Sequence, residues 1–253
     1  MGIISIAYIC SMDKKIVNDL YEFWTYIGET MGLLIDTEDY KAVSVLNSDW
    51  PKRVFAIADK ADLIAEIIKL SGIGVLPDRI TLLSPNELKG NPSLEISLSQ
   101  KNMAIDLTTV DNDFDQDENI FQVRSRADAL DFANTASISF GYKVDAEIVF
   151  KISQDASRVR MFNYIKNQEP LGCGLIYFDS FNNAGLHMIG TVPNGRGLGI
   201  GTQMTKKLLS EAVNSKKDLA VLMASAMGEP IYNKLGFIGY GELETYKIKR
   251  ECC

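Results

Sequence analysis

The first hundred residues alternate between segments of helical and strand-like hydrophobic spacing. Ile16, Leu20, Phe23 and Ile27 recur every three or four positions, which predicts a helix over 14–31. Short apolar runs bounded by turn-forming residues predict strands. The further elements predicted in this part are strands at 42–46, 53–58 and 79–83 and a helix at 60–70. Alternating helices and strands of this kind indicate a mixed α/β fold.

The second half of the chain shows the same alternation with stronger strand patterns. The run G-C-G-L-I-Y-F places Ile, Tyr and Phe between turn-forming residues, which is typical of a strand. The elements predicted here are strands at 121–124, 158–164, 171–178, 184–192, 220–224 and 237–247 and helices at 126–136, 145–152, 199–215 and 229–234. Their order, β-α-α-β-β-β-α-β-α-β, predicts an α/β domain with a mixed sheet, preceded by a smaller α/β domain.

An acidic stretch separates the two halves. Five Asp or Glu and no basic residue lie between positions 109 and 119, and charge of one sign at this density resists packing. We therefore expect an acidic linker at 111–119, between an N-terminal domain at 1–110 and a C-terminal domain at 120–253. The stretch lacks the glycine and the closing Glu of an EF-hand loop, which argues against a calcium site.

Composition and charge narrow the classes of function. Apolar residues make up 46% of the 253 residues and charged residues 23%, which supports folded cores rather than disorder. The net charge of −7 argues against nucleic acid as a partner, because phosphate binding needs clustered Lys and Arg. The same acidity leaves room for a cationic or amine-bearing substrate.

Cysteine and histidine content limits metal and nucleophilic chemistry. The chain has four cysteines, no C-x-x-C pair and one histidine, so we expect no metal, and a Ser-His-Asp triad only with His187 as its base. No signal peptide or membrane span is predicted, and the expected location is the cytoplasm. The terminal pair Cys252 and Cys253 fits either a frayed tail with exposed thiols or a lipidation site.

The segment 191–202, T-V-P-N-G-R-G-L-G-I-G-T, follows a predicted strand and opens a predicted helix. Glycines allow a backbone to fold around a ligand, and the free N–H groups at a helix start bind phosphate. The P-loop pattern fails because no lysine follows Gly201. The dinucleotide pattern G-x-G-x-x-G fails because its sixth position is Ile200 or Thr202. The pattern that fits is R-x-x-G-x-G, which begins at Arg196.

A second motif follows about 30 residues later. Positions 224–237 read A-S-A-M-G-E-P-I-Y-N-K-L-G-F, which predicts a short helix carrying a tyrosine, a left-handed helix stop at Gly236 and a strand from Phe237. The two motifs, in this order and on these elements, resemble those of the GCN5-related N-acetyltransferase (GNAT) superfamily. The resemblance covers about 121–247. Ser225 departs from the asparagine that is commonest at its position in the family.

The resemblance implies acetyl-CoA as the cosubstrate and a primary amine, on a small molecule or a peptide, as the acceptor. In such folds one strand splays from its neighbour and binds the pantetheine arm through backbone groups, and Ile189, Gly190 and Thr191 match that strand. The residues that match the pyrophosphate loop are Arg196, Gly197, Leu198, Gly199, Ile200, Gly201 and Thr202. The resemblance also implies direct attack of the amine on the thioester.

Tyr232 matches the family tyrosine that acts as general acid toward the CoA thiolate, a role that suits a phenol because it stays protonated at neutral pH. The backbone N–H near Ile189 would polarise the thioester carbonyl. The base stays open. Where family members often carry a glutamate, the central strand here offers only His187, and Asp179 and Glu229 are further candidates.

The missing carboxylate keeps a second function open, namely a catalytically weak protein that binds acetyl-CoA as a sensor or regulator. A third, a fold used only as a scaffold, does not explain the intact glycines at 197, 199 and 201. For residues 1–110 two interpretations remain, a degenerate copy of the same fold or a substrate-recognition cap.

Two features of the N-terminal half, a pair of glycines and a tryptophan, lead to predictions about local structure. Gly72 and Gly74 follow a predicted helix and are expected to end it. Trp50 is either a packing anchor beside a turn or part of the border of an acceptor site. The identity of the acceptor and the oligomeric state are not readable from the sequence.

Overall fold

The computed structural model describes residues 6–83, 88, 90–110, 114 and 117–249, with side chains from residue 11 onward. The helices are α1 (Ile6–Met31), α2 (Leu63–Gly72), α3 (Arg126–Phe140), α4 (Ala146–Ser153), α5 (Ile200–Asn214) and α6 (Glu229–Lys234). The strands are β1 (Leu34–Asp36), β2 (Lys41–Ser44), β3 (Lys52–Phe55), β4 (Arg79–Leu83), β5 (Leu94–Asp106), β6 (Ile120–Gln122), β7 (Val159–Lys166), β8 (Glu169–Phe178), β9 (Asn183–Thr191), β10 (Leu219–Ala224) and β11 (Ile238–Ile248). The predicted mixed α/β class is confirmed.

The chain divides into two compact units that differ from the predicted domains. Unit 1 consists of 1–102 and 240–253, and unit 2 of 103–239. The boundaries thus fall within β5 and near the start of β11, and most of the last strand belongs with the N-terminal half. Residues 111–113, 115 and 116 of the predicted linker lie outside the described residues, and the predicted division at 111–119 stays a prediction.

Unit 1 contains the strand order β1-β2-β3-β4-β11-β5. Strands β1, β2 and β3 are antiparallel, β4 runs parallel to β3, and β11 runs antiparallel to β4. Helix α1 buries the predicted stripe of Ile16, Leu20, Phe23 and Ile27. Trp50 is buried and lies 6.0 Å from the ring of Phe23, so its role as a packing anchor is confirmed.

Helix α2 ends as expected from its glycines. Gly74 has a φ of 80°, in the left-handed region that favours glycine. The N–H of Gly74 donates to the carbonyl of Ser71 and the N–H of Val75 to that of Leu70, which is the Schellman pattern of helix ends. None of the described helices is long and apolar enough to cross a membrane.

Unit 2 contains the strand order β5-β10-β9-β8-β7-β6. Strands β6 to β9 are antiparallel, and β10 runs parallel to β9 after the α5 crossover. Helix α5 lays an apolar stripe of Ile200, Met204 and Leu208 against β8, where Gly172 and Gly174 make room for it. A Cβ at Gly172 would lie 2.5 Å from Cγ2 of Ile200, and one at Gly174 would lie 2.5 Å from Cγ of Met204.

Helices α3 and α5 lie on opposite faces of this sheet. Gly172 faces α5 and pairs with Thr191, so Thr191 faces α5 as well. The neighbouring Gly190 must then face the other way, and a Cβ there would lie 2.9 Å from Cβ of Ser139 and 3.1 Å from Cζ of Phe140 on α3. The two faces of β9 therefore meet different helices at consecutive residues.

The same order of elements occurs in both units. In each, a helical segment precedes three antiparallel strands, a crossover helix and a strand parallel to the third: α1, β1-β2-β3, α2 and β4 in unit 1, and α3-α4, β7-β8-β9, α5 and β10 in unit 2. The repetition is what a degenerate copy of one fold requires. The segment before α2 has no counterpart of the glycine-rich loop. The interpretation as a copy stays a prediction.

Strand β5 is the largest element without a counterpart among the predicted ones. Leu94, Ile96 and Leu98 alternate with polar residues, which is a strand pattern, but the predicted elements leave 84–110 unassigned. Ile96 and Leu98 are exposed, whereas Met103, Ala104 and Ile105 further along the strand are buried, so its apolar residues do not alternate regularly between a buried and an exposed face. In the exposed part, the Ser97 hydroxyl donates to the carbonyl of Thr245 on β11, at 3.0 Å.

The close approach of α5 to β8 gives a stability prediction. Gly172→Ala should lower the free energy of unfolding by about 1–3 kcal/mol, because the added methyl group collides with a stiff β-branched side chain. The matched control is Gly72→Ala at the end of α2, where a Cβ meets nothing within 4 Å and the φ is ordinary. Urea unfolding checks both, and equal midpoints for the two variants would contradict the packing described here.

Candidate functional site

Strand β9 parts from β10 partway along its length. The two strands pair only from Asn183 to Gly185 on β9 and from Leu219 to Val221 on β10. The rest of β9 remains paired with β8 but runs without a registered partner on the β10 side. A gap therefore opens between the second halves of two parallel strands, which is the feature that the family resemblance implied.

A β-bulge lies within the parted half of β9. Leu175 pairs with His187 and Cys173 with Gly190, so two residues on β9 face one on β8. Met188, in the bulge, has a φ of 54°, which is unusual for a residue with a side chain. The Cys173 thiol donates to the Met188 carbonyl at 3.4 Å, and burial raises the pKa of that thiol to about 12. Cys173 is thus a structural residue.

The glycine-rich loop leaves a set of backbone donors unsatisfied at the start of α5. The first helical bond runs from the Gln203 N–H to the Gly199 carbonyl, and no side chain caps the helix. Among the described residues, no hydrogen-bond partner is found for five N–H groups, those of Gly197, Gly199, Ile200, Gly201 and Thr202. Unsatisfied donors at the positive end of a helix dipole attract an anion.

Left-handed backbone conformations at two glycines shape this loop. Gly197 has a φ of 81° and Gly199 a φ of 77°, and a Cβ on either would meet no atom within 4 Å. The space above them is open, so the glycines serve the backbone conformation and a close approach from outside rather than protein packing. Gly195 has the opposite role, because a Cβ there would lie 2.9 Å from Cδ1 of Ile200 and 3.1 Å from the Leu171 carbonyl.

A cavity of about 430 Å³ joins the gap in the sheet to this loop. Ten of the eleven predicted site residues line it: Ile189, Gly190, Thr191, Arg196, Gly197, Gly199, Ile200, Gly201, Thr202 and Tyr232. Leu198 does not line the cavity, and its side chain is exposed. The motifs therefore point to one place in the structure, and the binding and catalytic roles given to these residues stay predictions.

Tyr232 lies on α6 at the cavity wall, with a side chain that is only 9% exposed. Its ring packs edge-on against Phe237, with centroids 5.8 Å apart, and a Cβ on Gly228 would lie 3.0 Å from Cε2 of the ring. Burial raises the pKa of the phenol to about 12, so the hydroxyl is a proton-bearing donor at neutral pH. Gly236, with a φ of 92°, ends α6 as the sequence predicts.

Seven further residues that the sequence did not predict also line the cavity: Ser139, Phe140, Gly195, Ser225, Met227, Gly228 and Ile231. Five of them lie within or beside the two motifs and could have been found there. Ser139 and Phe140 lie at the end of α3, which runs past its predicted end at 136 to a left-handed cap at Gly141. Ser225 holds the turn before α6, where its hydroxyl accepts the Gly228 N–H at 3.2 Å.

None of the three candidate bases lines the cavity. Asp179 is buried, and its carboxylate accepts the N–H groups of Phe181 and Asn183 at 2.9 and 2.7 Å, so it organises the turn between β8 and β9. His187 is buried on β9, on the α3 side of the sheet. Glu229 is half-buried in the first turn of α6.

The lining residues carry one positive charge and no carboxylate. Arg196 is exposed beside the loop, where its guanidinium adds charge to the backbone donors. Among the described residues, no group of three or more His, Cys, Asp or Glu is arranged to hold a metal ion. The cavity thus combines an anion-binding end, apolar walls and a buried phenol.

The fold has relatives among solved structures. A GCN5-related N-acetyltransferase from Kribbella flavida superposes with a TM-score of 0.66 at 12% identity, covering 92% of this chain and 96% of that chain. A GCN5-related N-acetyltransferase from Sphaerobacter thermophilus gives a TM-score of 0.60 at 14% identity, covering 85% of this chain and 78% of that chain. At such identities the likeness shows a shared fold.

A family model described as "Acetyltransferase (GNAT) domain" matches residues 179–239, which contain both sequence motifs and most of the cavity lining. No curated protein matches the sequence significantly. This part of the chain matches the GNAT acetyltransferase domain, and the resemblance inferred from the motifs is confirmed. Domain and fold together support acyl transfer in general.

The buried phenol gives a prediction for alkaline titration. Replacing Tyr232 with Phe should remove a tyrosinate signal whose midpoint lies near pH 12, about two pH units above that of free tyrosine. Because the folded pKa is raised, the proton stabilises the fold fully below about pH 10, and that contribution is lost as the pH rises toward 12. Difference absorbance against wild type measures the midpoint, and a midpoint near 10 would contradict the burial.

Proposed function

We propose that the chain is an acetyl-CoA-dependent N-acetyltransferase that acts on a primary amine by direct attack. The observation that carries the proposal is the continuity of one cavity, from the unsatisfied N–H groups at α5 to the parted strand β9 and Tyr232. Such a cavity suits a long ligand with an anionic end and a reactive end. Acetyl-CoA supplies the thioester that the amine attacks.

The anionic end of the cosubstrate fits the loop. The N–H groups from Gly197 to Thr202 bind the pyrophosphate, and the open space above Gly197 and Gly199 admits it to the backbone. Arg196 adds charge without being indispensable. Along the gap, the backbone groups of Ile189, Gly190 and Thr191 bind the amides of the pantetheine arm, as an added strand would.

The reactive end lies at the bulge. The amine nitrogen forms a bond to the acetyl carbon, the carbon–sulfur bond breaks, and CoA leaves as a thiolate. The N–H near Ile189 polarises the carbonyl oxygen, and the bulge at Met188 turns this stretch of backbone away from regular pairing. Tyr232 donates to the departing sulfur.

The pKa of Tyr232 limits how far its proton moves. Full transfer from a phenol of pKa about 12 to a thiolate whose thiol has an ordinary pKa near 8.5 is uphill by about 5 kcal/mol. A hydrogen bond that stabilises the thiolate is therefore the main contribution of Tyr232, and water can complete the protonation. Because no carboxylate or histidine lines the cavity, the amine reacts in its neutral form and passes its proton to water.

A second candidate function is a sensor that binds acetyl-CoA without turnover. The absence of a carboxylate or histidine that could act as general base among the lining residues favours it. Release of CoA measured against a panel of amines, including a polyamine and peptides, separates the two functions. Tight binding of CoA with no release on any amine would favour the sensor, and no binding of CoA would refute both.

The loop assignment predicts a charge effect at Gly199. Asn and Asp both tolerate its left-handed conformation and both cap a helix, so Gly199→Asn and Gly199→Asp differ mainly in charge. The Asp variant should bind CoA at least about tenfold more weakly than the Asn variant, because its carboxylate lies where the pyrophosphate binds. Calorimetry measures both, with pantetheine, which lacks the pyrophosphate, as control. Equal CoA affinities would show that the loop is not the phosphate site.

The role of Tyr232 predicts a loss of turnover. Tyr232→Phe should lower kcat by about 10- to 100-fold, the value of a hydrogen bond to a charged group, while the dissociation constant of CoA changes little. Tyr164→Phe, a buried tyrosine of unit 2 outside the cavity, is the control and should keep kcat. An unchanged kcat in the Tyr232 variant, on the best amine of the panel, would remove Tyr232 from the reaction.

A further inference from the structure

The cavity reaches both faces of the sheet in unit 2. Ile189 and Thr191 face α5, and the start of α5 with its loop lies on that side. Gly190 faces α3, where Ser139 and Phe140 form the cavity wall. If the donor occupies the α5 side, as in the proposed function on which this inference rests, the α3 wall is the surface left for the acceptor.

Ser139 has an unsatisfied hydroxyl on that wall. Its Oγ is shielded from solvent and makes no hydrogen bond. No other residue that lines the cavity has a buried side-chain N or O atom without a hydrogen-bond partner. The Ser139 Oγ lies beside the backbone of Gly190, 3.1 Å from the position that a Cβ on Gly190 would occupy. Buried polar groups in proteins are nearly always hydrogen-bonded, because a buried hydroxyl without a partner destabilises the fold. A hydroxyl that lacks a partner therefore calls for a ligand or a water molecule.

The surroundings of Ser139 are apolar and aromatic. Phe140 stacks on Tyr142 with centroids 5.7 Å apart and an interplanar angle of 15°, and the Tyr142 hydroxyl lies 3.9 Å from the sulfur of Met188 in the bulge. No Asp or Glu lines the cavity. The acidity of the whole chain is therefore not concentrated at this wall, and a second positive charge on the acceptor would find no partner among the lining residues.

We propose that Ser139 binds the acceptor, with its Oγ accepting a hydrogen bond from the attacking amine, and that the amine is carried on an apolar or aromatic group that packs on Phe140. The hydroxyl fixes the nitrogen beside the parted strand, and the ring binds the carrier. A polyamine, whose additional charges would remain unpaired, is excluded from the class.

Binding to the CoA-loaded protein tests this directly, since CoA carries no acetyl group to transfer. Phenethylamine is the probe for an aromatic carrier and spermidine the probe for a polyamine, and calorimetry gives the dissociation constants. Phenethylamine should bind more tightly than spermidine, and Ser139→Ala should weaken phenethylamine binding by about tenfold, the effect of one lost hydrogen bond in a buried site.

Two controls separate a binding role from a structural one. Ser139→Ala should leave CoA affinity unchanged and should not lower Tm, because it deletes a group that has no partner in the fold. Ser153→Ala, which deletes a hydroxyl bonded to the Phe150 carbonyl on α4, should leave phenethylamine binding unchanged.

The other possible results would contradict the role of Ser139, the apolar carrier or the proposed function. Equal phenethylamine affinity in wild type and Ser139→Ala, a lowered Tm, or no binding of phenethylamine would overturn the role of Ser139. Tighter binding of spermidine would overturn the apolar carrier. Failure of wild type to bind CoA would overturn the proposed function itself, and this inference with it.

Discussion

The close packing of α5 on β8 is the constraint on which the candidate site depends. Gly172 and Gly174 remove two side chains from β8, so Ile200 and Met204 approach its backbone directly. Gly195 brings the loop close to Ile200 at the start of the helix. A helix held this way cannot shift without collisions, so its unsatisfied N–H groups point in fixed directions. Donors fixed before a ligand arrives cost no reorganisation on binding, which is why backbone alone can serve as an anion site.

In the proposed function, the other end of the cavity acts by position more than by acid–base strength. Tyr232 holds its proton too firmly to give it up fully, and no lining residue is placed to take one from the amine. In the proposed reaction, what remains is a polarising backbone N–H near Ile189 and a hydroxyl donor toward sulfur. Proximity and orientation of two reactants account for several kcal/mol of a barrier, which is enough for an amine and a thioester that are already reactive.

The sequence was most informative where a function is carried by local geometry. The glycines at 197, 199 and 201 and the helix around Tyr232 could be predicted because a left-handed turn or a helix end needs particular residues at fixed spacing. Ser139 and Phe140 could not be found this way. They reach the site because Gly190 lets α3 pack against β9, a contact between residues about fifty positions apart. The unit boundaries within β5 and near β11 also depend on strand pairing across the whole chain, and local patterns do not encode such pairing.

The bulge at Met188 shifts, by one residue, the alternation of β9 side chains between the two faces of the sheet. Before it, alternate side chains of the strand follow the faces that β8 dictates, with His187 on the α3 side. After it, Gly190 lies on that side although it is three positions further along, an odd step. A single-residue deletion between the two would remove the extra residue and restore regular pairing with β8, so Gly190 and Thr191 would keep the faces they have now. The extra residue is therefore not what orients the later side chains, and what it adds is an irregular backbone, with the positive φ of Met188, directly before the residues of β9 that line the cavity.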